Sequence, residues 1–202
     1  MLKPCETADR IKVLYIAGAG RSGGTILCHI LGQQPGWFYA GELRDLWTSG
    51  LRSEKLCGCG RRVVDCEVWQ AVFERAYGGL DKIDTAEMTG LREGLSRTRH
   101  WPSALLLSAG RRPDRRQRVY LERLAALYSA IRDVTGCQVI VDASRLIPYG
   151  LYVSALTGVD FRVVHLVRDP RAVVFSWKRR RTTRSATKEH TLPTQGTVRA
   201  AM

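Results

Sequence analysis

Residues 18–25 read GAGRSGGT, with four glycines, two hydroxyls and one arginine in eight positions. That mixture suits a loop wrapped around an anion, because backbone N–H groups are left unscreened by side chains and a cation stands among them. Gly18, Gly23 and Thr25 fall on the nucleotide-loop spacing G-x-x-x-x-G-K-[ST], but Gly24 stands where that pattern has its lysine. The lysine normally reaches the β- and γ-phosphates, so this loop lacks the main cation for a nucleoside triphosphate. Its positive charge comes earlier, at Arg21. Gly20, Arg21, Ser22, Gly23, Gly24 and Thr25 therefore suit a 5′-phosphate carrying a single charged extension. Gly18, Gly20 and Gly23 also match G-x-G-x-x-G, and Glu42 falls near the acidic position of a dinucleotide fold. The loop alone leaves that reading open.

The elements around the loop point to an α/β chain. Residues 11–17 (IKVLYIA) form an apolar run suited to a buried parallel strand. Ile26, Leu27, Ile30 and Leu31 then mark one face of a helix ending near Gly32. Further strands are expected at 37–40, 138–141 and 161–167. Leu121, Leu124, Ala125, Tyr128 and Ile131 recur at helical spacing, and Asp169-Pro170 reads as an N-cap followed by a first-turn proline. Residues 51–116 mix a cysteine patch, short helical pieces and an Arg-rich connector. Strands alternating with helices predict a P-loop-like three-layer fold, a central parallel sheet flanked by helices. A single domain over 1–177 and a basic, loosely ordered tail over 178–202 are expected.

A second constellation lies at the other end. Residues 163–177 (VVHLVRDPRAVVFSW) put Arg168 at a strand end and Ser176 eight positions later on the following helix. Together with the glycine loop, this resembles the sulfotransferases that use 3′-phosphoadenosine 5′-phosphosulfate (PAPS), over about residues 12–177. The similarity is closest to the bacterial branch related to protein-tyrosine and carbohydrate sulfotransferases. Residues 56–60 (LCGCG), with Cys66 and Trp69, and 141–145 (VDASR) resemble two further passages of that branch.

The resemblance implies in-line transfer of a sulfuryl group from PAPS to a hydroxyl or amine, leaving 3′,5′-bisphosphate (PAP). Arg21 would stabilise charge near the bridging oxygen, while Ser22 through Thr25 cradle the 5′-phosphate. Arg168 and Ser176 would grip the 3′-phosphate. Glu42 is the candidate base, standing where the protein-tyrosine branch has a glutamate; a solvated turn residue is the other reading. Arg145 stands where relatives have lysine, as a second cation. No metal is implied. The acceptor would be a small molecule, carbohydrate or peptide. The family continues into further helices and a lid, so this sequence, ending at Met202, reads as C-terminally truncated.

Bulk properties narrow the alternatives without choosing among them. The 202 residues carry a formal charge of +13, which draws in phosphorylated ligands, acidic lipid or nucleic acid. No nucleic-acid motif accompanies the basic runs at 111–118 and 178–188. No stretch is apolar enough to span a bilayer and no signal core opens the chain, so a cytoplasmic protein is expected, with its six cysteines reduced. Cys57, Cys59 and Cys66 give C-x-C-x6-C, which is not a standard zinc spacing. His165, within an apolar run, is expected in the core or behind the site. Two other functions stay open. One is a nucleotide kinase or ATPase using residues 139–142 (VIVD) as a metal-binding strand. The other is a non-catalytic PAP-binding or basic nucleic-acid-binding protein, its oligomeric state unspecified.

Overall fold

The computed structural model describes residues 10–51, 56–178, 181–184 and 189–192. It is an α/β fold around a four-stranded, wholly parallel sheet formed by β1 (Ile11–Gly18), β2 (Trp37–Gly41), β3 (Val139–Arg145) and β4 (Val159–Leu166). The order across the sheet is β2-β3-β1-β4, so β1 is central and β4 lies at an edge. Parallel strands need crossovers, and these supply the helices of the outer layers.

Side-chain alternation along β1 divides the interior in two. Ile16 faces α1 (Gly24–Leu31), joining Cys28, Val141 and Ala143 in a small core with Leu14, Leu27 and Leu31 at its margin. Val13 and Tyr15 face the opposite layer and a much larger core. That layer holds α2 (Glu67–Tyr77), α3 (Thr85–Leu95), α4 (Trp101–Ser108), α5 (Arg115–Thr135) and α6 (Ile147–Ser154). The expected three-layer arrangement is therefore present.

The longest helix, α5, begins within the Arg-rich stretch because Asp114 and Gln117 make a capping box. The Asp114 carboxylate accepts from Gln117 N–H at 2.8 Å, and Gln117 Oε1 accepts from Asp114 N–H at 3.0 Å. Arg115, Arg116 and Arg118 stay exposed, while Gln117 is buried and donates to Tyr152 Oη at 3.1 Å. Gly136, at φ 65°, ends the helix in a left-handed cap.

Both inner strand pairs slip register at their carboxyl ends. Tyr15 pairs with Asp142 and Ala17 with Arg145, so two steps on β1 span three on β3. Tyr39 pairs with Val141 and Gly41 with Asp142, so two steps on β2 span one on β3. Such irregularities re-aim side chains where pairing ends, and these two lie where Glu42 and Arg145 leave the sheet.

Beyond β4, α7 (Pro170–Lys178) starts at the expected proline. Within the stretch read as a tail, β5 (Arg181–Arg184) and β6 (Glu189–Leu192) pair antiparallel; the rest of 179–202 lies outside the described residues. His165 departs from expectation. Because β4 is an edge strand, His165 is exposed rather than set in the core or behind the site. No helix among the described residues is long and apolar enough to cross a membrane.

Candidate functional site

The glycine loop leaves the carboxyl end of the central strand, where crossovers depart to β2 on one side and towards β4 on the other. Open α/β sheets offer their binding crevice at such a place. Close packing excludes a Cβ at Gly18 and leaves little room for one at Gly20. A Cβ on Gly18 would stand 2.4 Å from the Leu166 carbonyl oxygen, and Gly18 has φ 138°. A Cβ on Gly20 would meet the Trp177 ring at 3.1 Å and an Arg145 guanidinium nitrogen at 3.7 Å. Gly23, at φ 98°, precedes α1 without any side-chain cap. The first-turn N–H groups of α1, including those of Gly24 and Thr25, thus have no intrahelical partner. Ser22 adds a buried hydroxyl without a hydrogen-bond partner among the described residues.

Cations converge on this loop from three strand ends. Arg21 lies over the Trp177 ring, 4.9 Å from its centroid, a cation–π contact linking the loop to α7. Arg168, just beyond β4, donates from a guanidinium nitrogen to the Arg21 carbonyl oxygen at 2.8 Å across 147 residues. Arg145, at the end of β3, forms an ion pair with Glu42, at the end of β2. Both groups are partly exposed, at 35% and 26% of their side chains. Arg21 and Arg145 adopt φ 70° and 64°, and they are the only non-glycine residues at positive φ among those described. Left-handed backbone costs a branched-off side chain about 1–2 kcal/mol, and such strain collects at functional sites. Ser176 lies on α7 but is only 5% exposed, whereas Arg168 is open to solvent. The two residues of that signature thus occupy very different surroundings.

Behind Glu42 and Arg145 stands a buried polar network that spacing did not reveal. Asp142 is fully buried, and its Oδ1 accepts from the Ser144 N–H at 2.8 Å and from the Ser144 hydroxyl. Its Oδ2 accepts from the Tyr128 hydroxyl, and the Leu43 backbone N–H also donates to the carboxylate. Ser144 Oγ in turn accepts from the Arg44 N–H at 3.0 Å. These bonds tie the turn at residues 42–44 to the end of β3, fixing the backbone that presents Glu42 and Arg145. Burial pushes the Asp142 carboxyl up to about 6, against the opposing pull of its donors. Asp142 had been a possible metal-binding carboxylate; its two oxygens are instead committed within the core. The signal in sequence was Asp-x-Ser, an Asx turn in which the side chain bonds the backbone two residues on.

A hollow of about 310 Å³ opens at the other end of β1, beside Ile11, Arg132 and Gly158. It gathers none of the groups described above. No family model, curated protein or solved structure matches the chain.

Proposed function

We propose that the chain binds PAPS at the carboxyl edge of its sheet and transfers the sulfuryl group to a hydroxyl or amine acceptor. The observation that carries this reading is the hydrogen bond from Arg168 to the Arg21 carbonyl. Two anion-binding signatures at opposite ends of the sequence meet there. The donor's features fit the groups present. The Ser22 hydroxyl, buried without a partner among the described residues, and the start of α1 without a side-chain cap suit a 5′-phosphate. The exposed Arg168 guanidinium suits a second phosphate. The buried, committed state of Asp142 counts against a kinase that would use it to hold Mg²⁺.

PAPS supplies an activated sulfuryl group when bound. As the acceptor atom bonds to sulfur, the bond from sulfur to the bridging oxygen breaks, and that oxygen keeps the electron pair as part of PAP. Arg21 stabilises the charge growing there, and the N–H groups of Gly24 and Thr25 hold the phosphate in place. Arg145 supplies a second cation, held at the loop by its ion pair with Glu42. Glu42 takes the acceptor proton; its Oε1 accepts from Arg145, so Oε2 is assigned that role.

The test follows PAP formation from PAPS over a panel of sugar, phenol, tyrosyl-peptide and amine acceptors. The expected result is acceptor-dependent PAP release that falls roughly 100-fold or more in Glu42→Gln, with PAP affinity unchanged. Release that ignores Glu42→Gln would remove Glu42 as the base. An inability to bind PAP at all would remove the donor.

A further inference from the structure

Residues 57–61 (CGCGR) fold back on themselves into a tight knuckle. Cys57 N–H donates to the Arg61 carbonyl at 2.7 Å, Gly60 N–H donates to the Cys57 carbonyl at 2.9 Å, and Leu56 bridges Arg62 antiparallel. Gly60 takes φ 84°, which the reversal needs. The same turn lays backbone donors on sulfur: Cys59 N–H reaches the Cys57 thiol and Arg61 N–H reaches the Cys59 thiol. Cys66 arrives from the other side as the N-cap of α2, where it is buried. An ion pair from Arg61 to Glu67, at 2.6 Å, spans the knuckle and the first turn of α2.

The three sulfurs therefore share one point. All lie within 4.8 Å of one another, and those of Cys59 and Cys66 are 3.6 Å apart. A tetrahedral Zn–thiolate site, with Zn–S near 2.3 Å, separates its sulfurs by about 3.8 Å. The Cys59–Cys66 separation already stands close to that spacing, and the Cys57 sulfur lies within 4.8 Å of both. A disulfide would use two of these thiols and leave the third without a purpose. The backbone donors, by contrast, fall on the sulfur of Cys57 as well as that of Cys59. We propose that Cys57, Cys59 and Cys66 form a three-thiolate site for one thiophilic d10 cation, Zn²⁺ or Cu⁺.

The spacing C-x-C-x6-C argued against a metal because it supplies no fourth ligand. Among the described residues no histidine or carboxylate joins the cluster. Three thiolates satisfy a trigonal Cu⁺ outright, and Zn²⁺ completes its tetrahedron with water. Cys59 is the solvent-exposed member of the three and hence the entry ligand, with Cys57 half-buried and Cys66 buried behind it. The bound ion would staple the knuckle to α2, which packs on α5 of the main core.

The test uses the untagged, reduced full-length chain with Zn²⁺, Cu⁺ or the visible reporter Co²⁺. The expected result is one equivalent of Co²⁺ with a thiolate-to-metal charge-transfer band that Zn²⁺ abolishes. In the unaltered protein, Zn²⁺ or Cu⁺ should also protect Cys57, Cys59 and Cys66 together from alkylation, read by peptide mass mapping. Cys57→Ser and Cys59→Ser should each weaken Zn²⁺ by more than the roughly 10–100-fold that losing an outer-shell partner costs. Alkylation at equal rates with and without both ions would overturn the site. So would a Cys59–Cys66 disulfide forming in air in a protein that takes up no metal once reduced. Protection is measured on the native sequence, so a variant that misfolds does not decide the matter. PAP binding is read independently and stands or falls on its own.

Discussion

The carboxyl edge of the sheet has two sides built on opposite principles. On the β2–β3 side, Asp142, Ser144, Tyr128 and the backbone of residues 43 and 44 bond one another out of solvent. On the β1–β4 side, Arg21 and Arg168 stand nearer the surface, where Arg168 bonds the Arg21 carbonyl and Arg21 lies over the Trp177 ring. The Ser22 hydroxyl there is buried without a partner among the described residues. The first side has its Asp142 carboxylate and Ser144 hydroxyl bonded internally and serves as a frame. The second keeps the Ser22 donor unused among the described residues and sets two arginines beside it, as suits an anion site before its ligand arrives. Preorganisation on one side thus stands beside unfilled capacity on the other.

Substitutions on the two sides should separate stability from binding. The largest effect on folding is expected for Asp142→Ala, which orphans donors from Ser144, Tyr128 and Leu43. Each lost partner leaves a buried group at about 1–3 kcal/mol, so chemical denaturation should show a loss of about 3 kcal/mol or more. Arg168→Ala should change stability by no more than about 0.5 kcal/mol while weakening PAP roughly 10-fold or more, as expected for hydrogen bonds between charged groups. Equal effects of the two substitutions on stability would erase the distinction drawn between frame and site.

A smaller effect should appear with pH. The Asp142 carboxyl, raised to about 6 by burial, holds its proton more tightly in the folded chain than its ordinary value of 3.8 allows. Between those values the native state binds more protons than the unfolded one, so stability falls as pH rises through that window. Lowering the pH from 7 to 5 should therefore add about 1 kcal/mol from this group. Asp142→Asn should lack that increment when the two proteins are compared by denaturant titration. A backbone effect of similar size completes the series: Arg145→Gly should be more stable than Arg145→Ala by about 1 kcal/mol, because glycine relieves the left-handed conformation.

The division between frame and site also explains what could be read in advance. The sheet and its helices were legible because residues 11–17 and the 121–131 stripe carry strong apolar patterns. The glycine loop was legible because close approach leaves no room for a Cβ on Gly18. The extension of β3 to Arg145 was not, since Asp142 and Ser144 are polar and are accommodated in the interior only through the network around Asp142. The outward turn of His165 was hidden as well. An apolar run shows that a strand forms, but which strand lies at the edge is decided by connections between distant segments. The convergence of Cys57, Cys59 and Cys66 escaped for a related reason. It depends on how the knuckle meets the start of α2, and spacing alone does not encode that angle.

The central claim is that the carboxyl edge recognises a 3′,5′-bisphosphorylated adenosine. It is tested most directly by ligand-induced thermal stabilisation with PAP, compared with ADP and with ATP in the presence and absence of Mg²⁺. A ligand at about 100 times its Kd stabilises a specific site by about 2.7 kcal/mol. The predicted result is a rise with PAP that exceeds that with ADP, does not need Mg²⁺ and disappears in Arg168→Ala. A rise with Mg-ATP alone would contradict the account and move the protein to the nucleotide kinases.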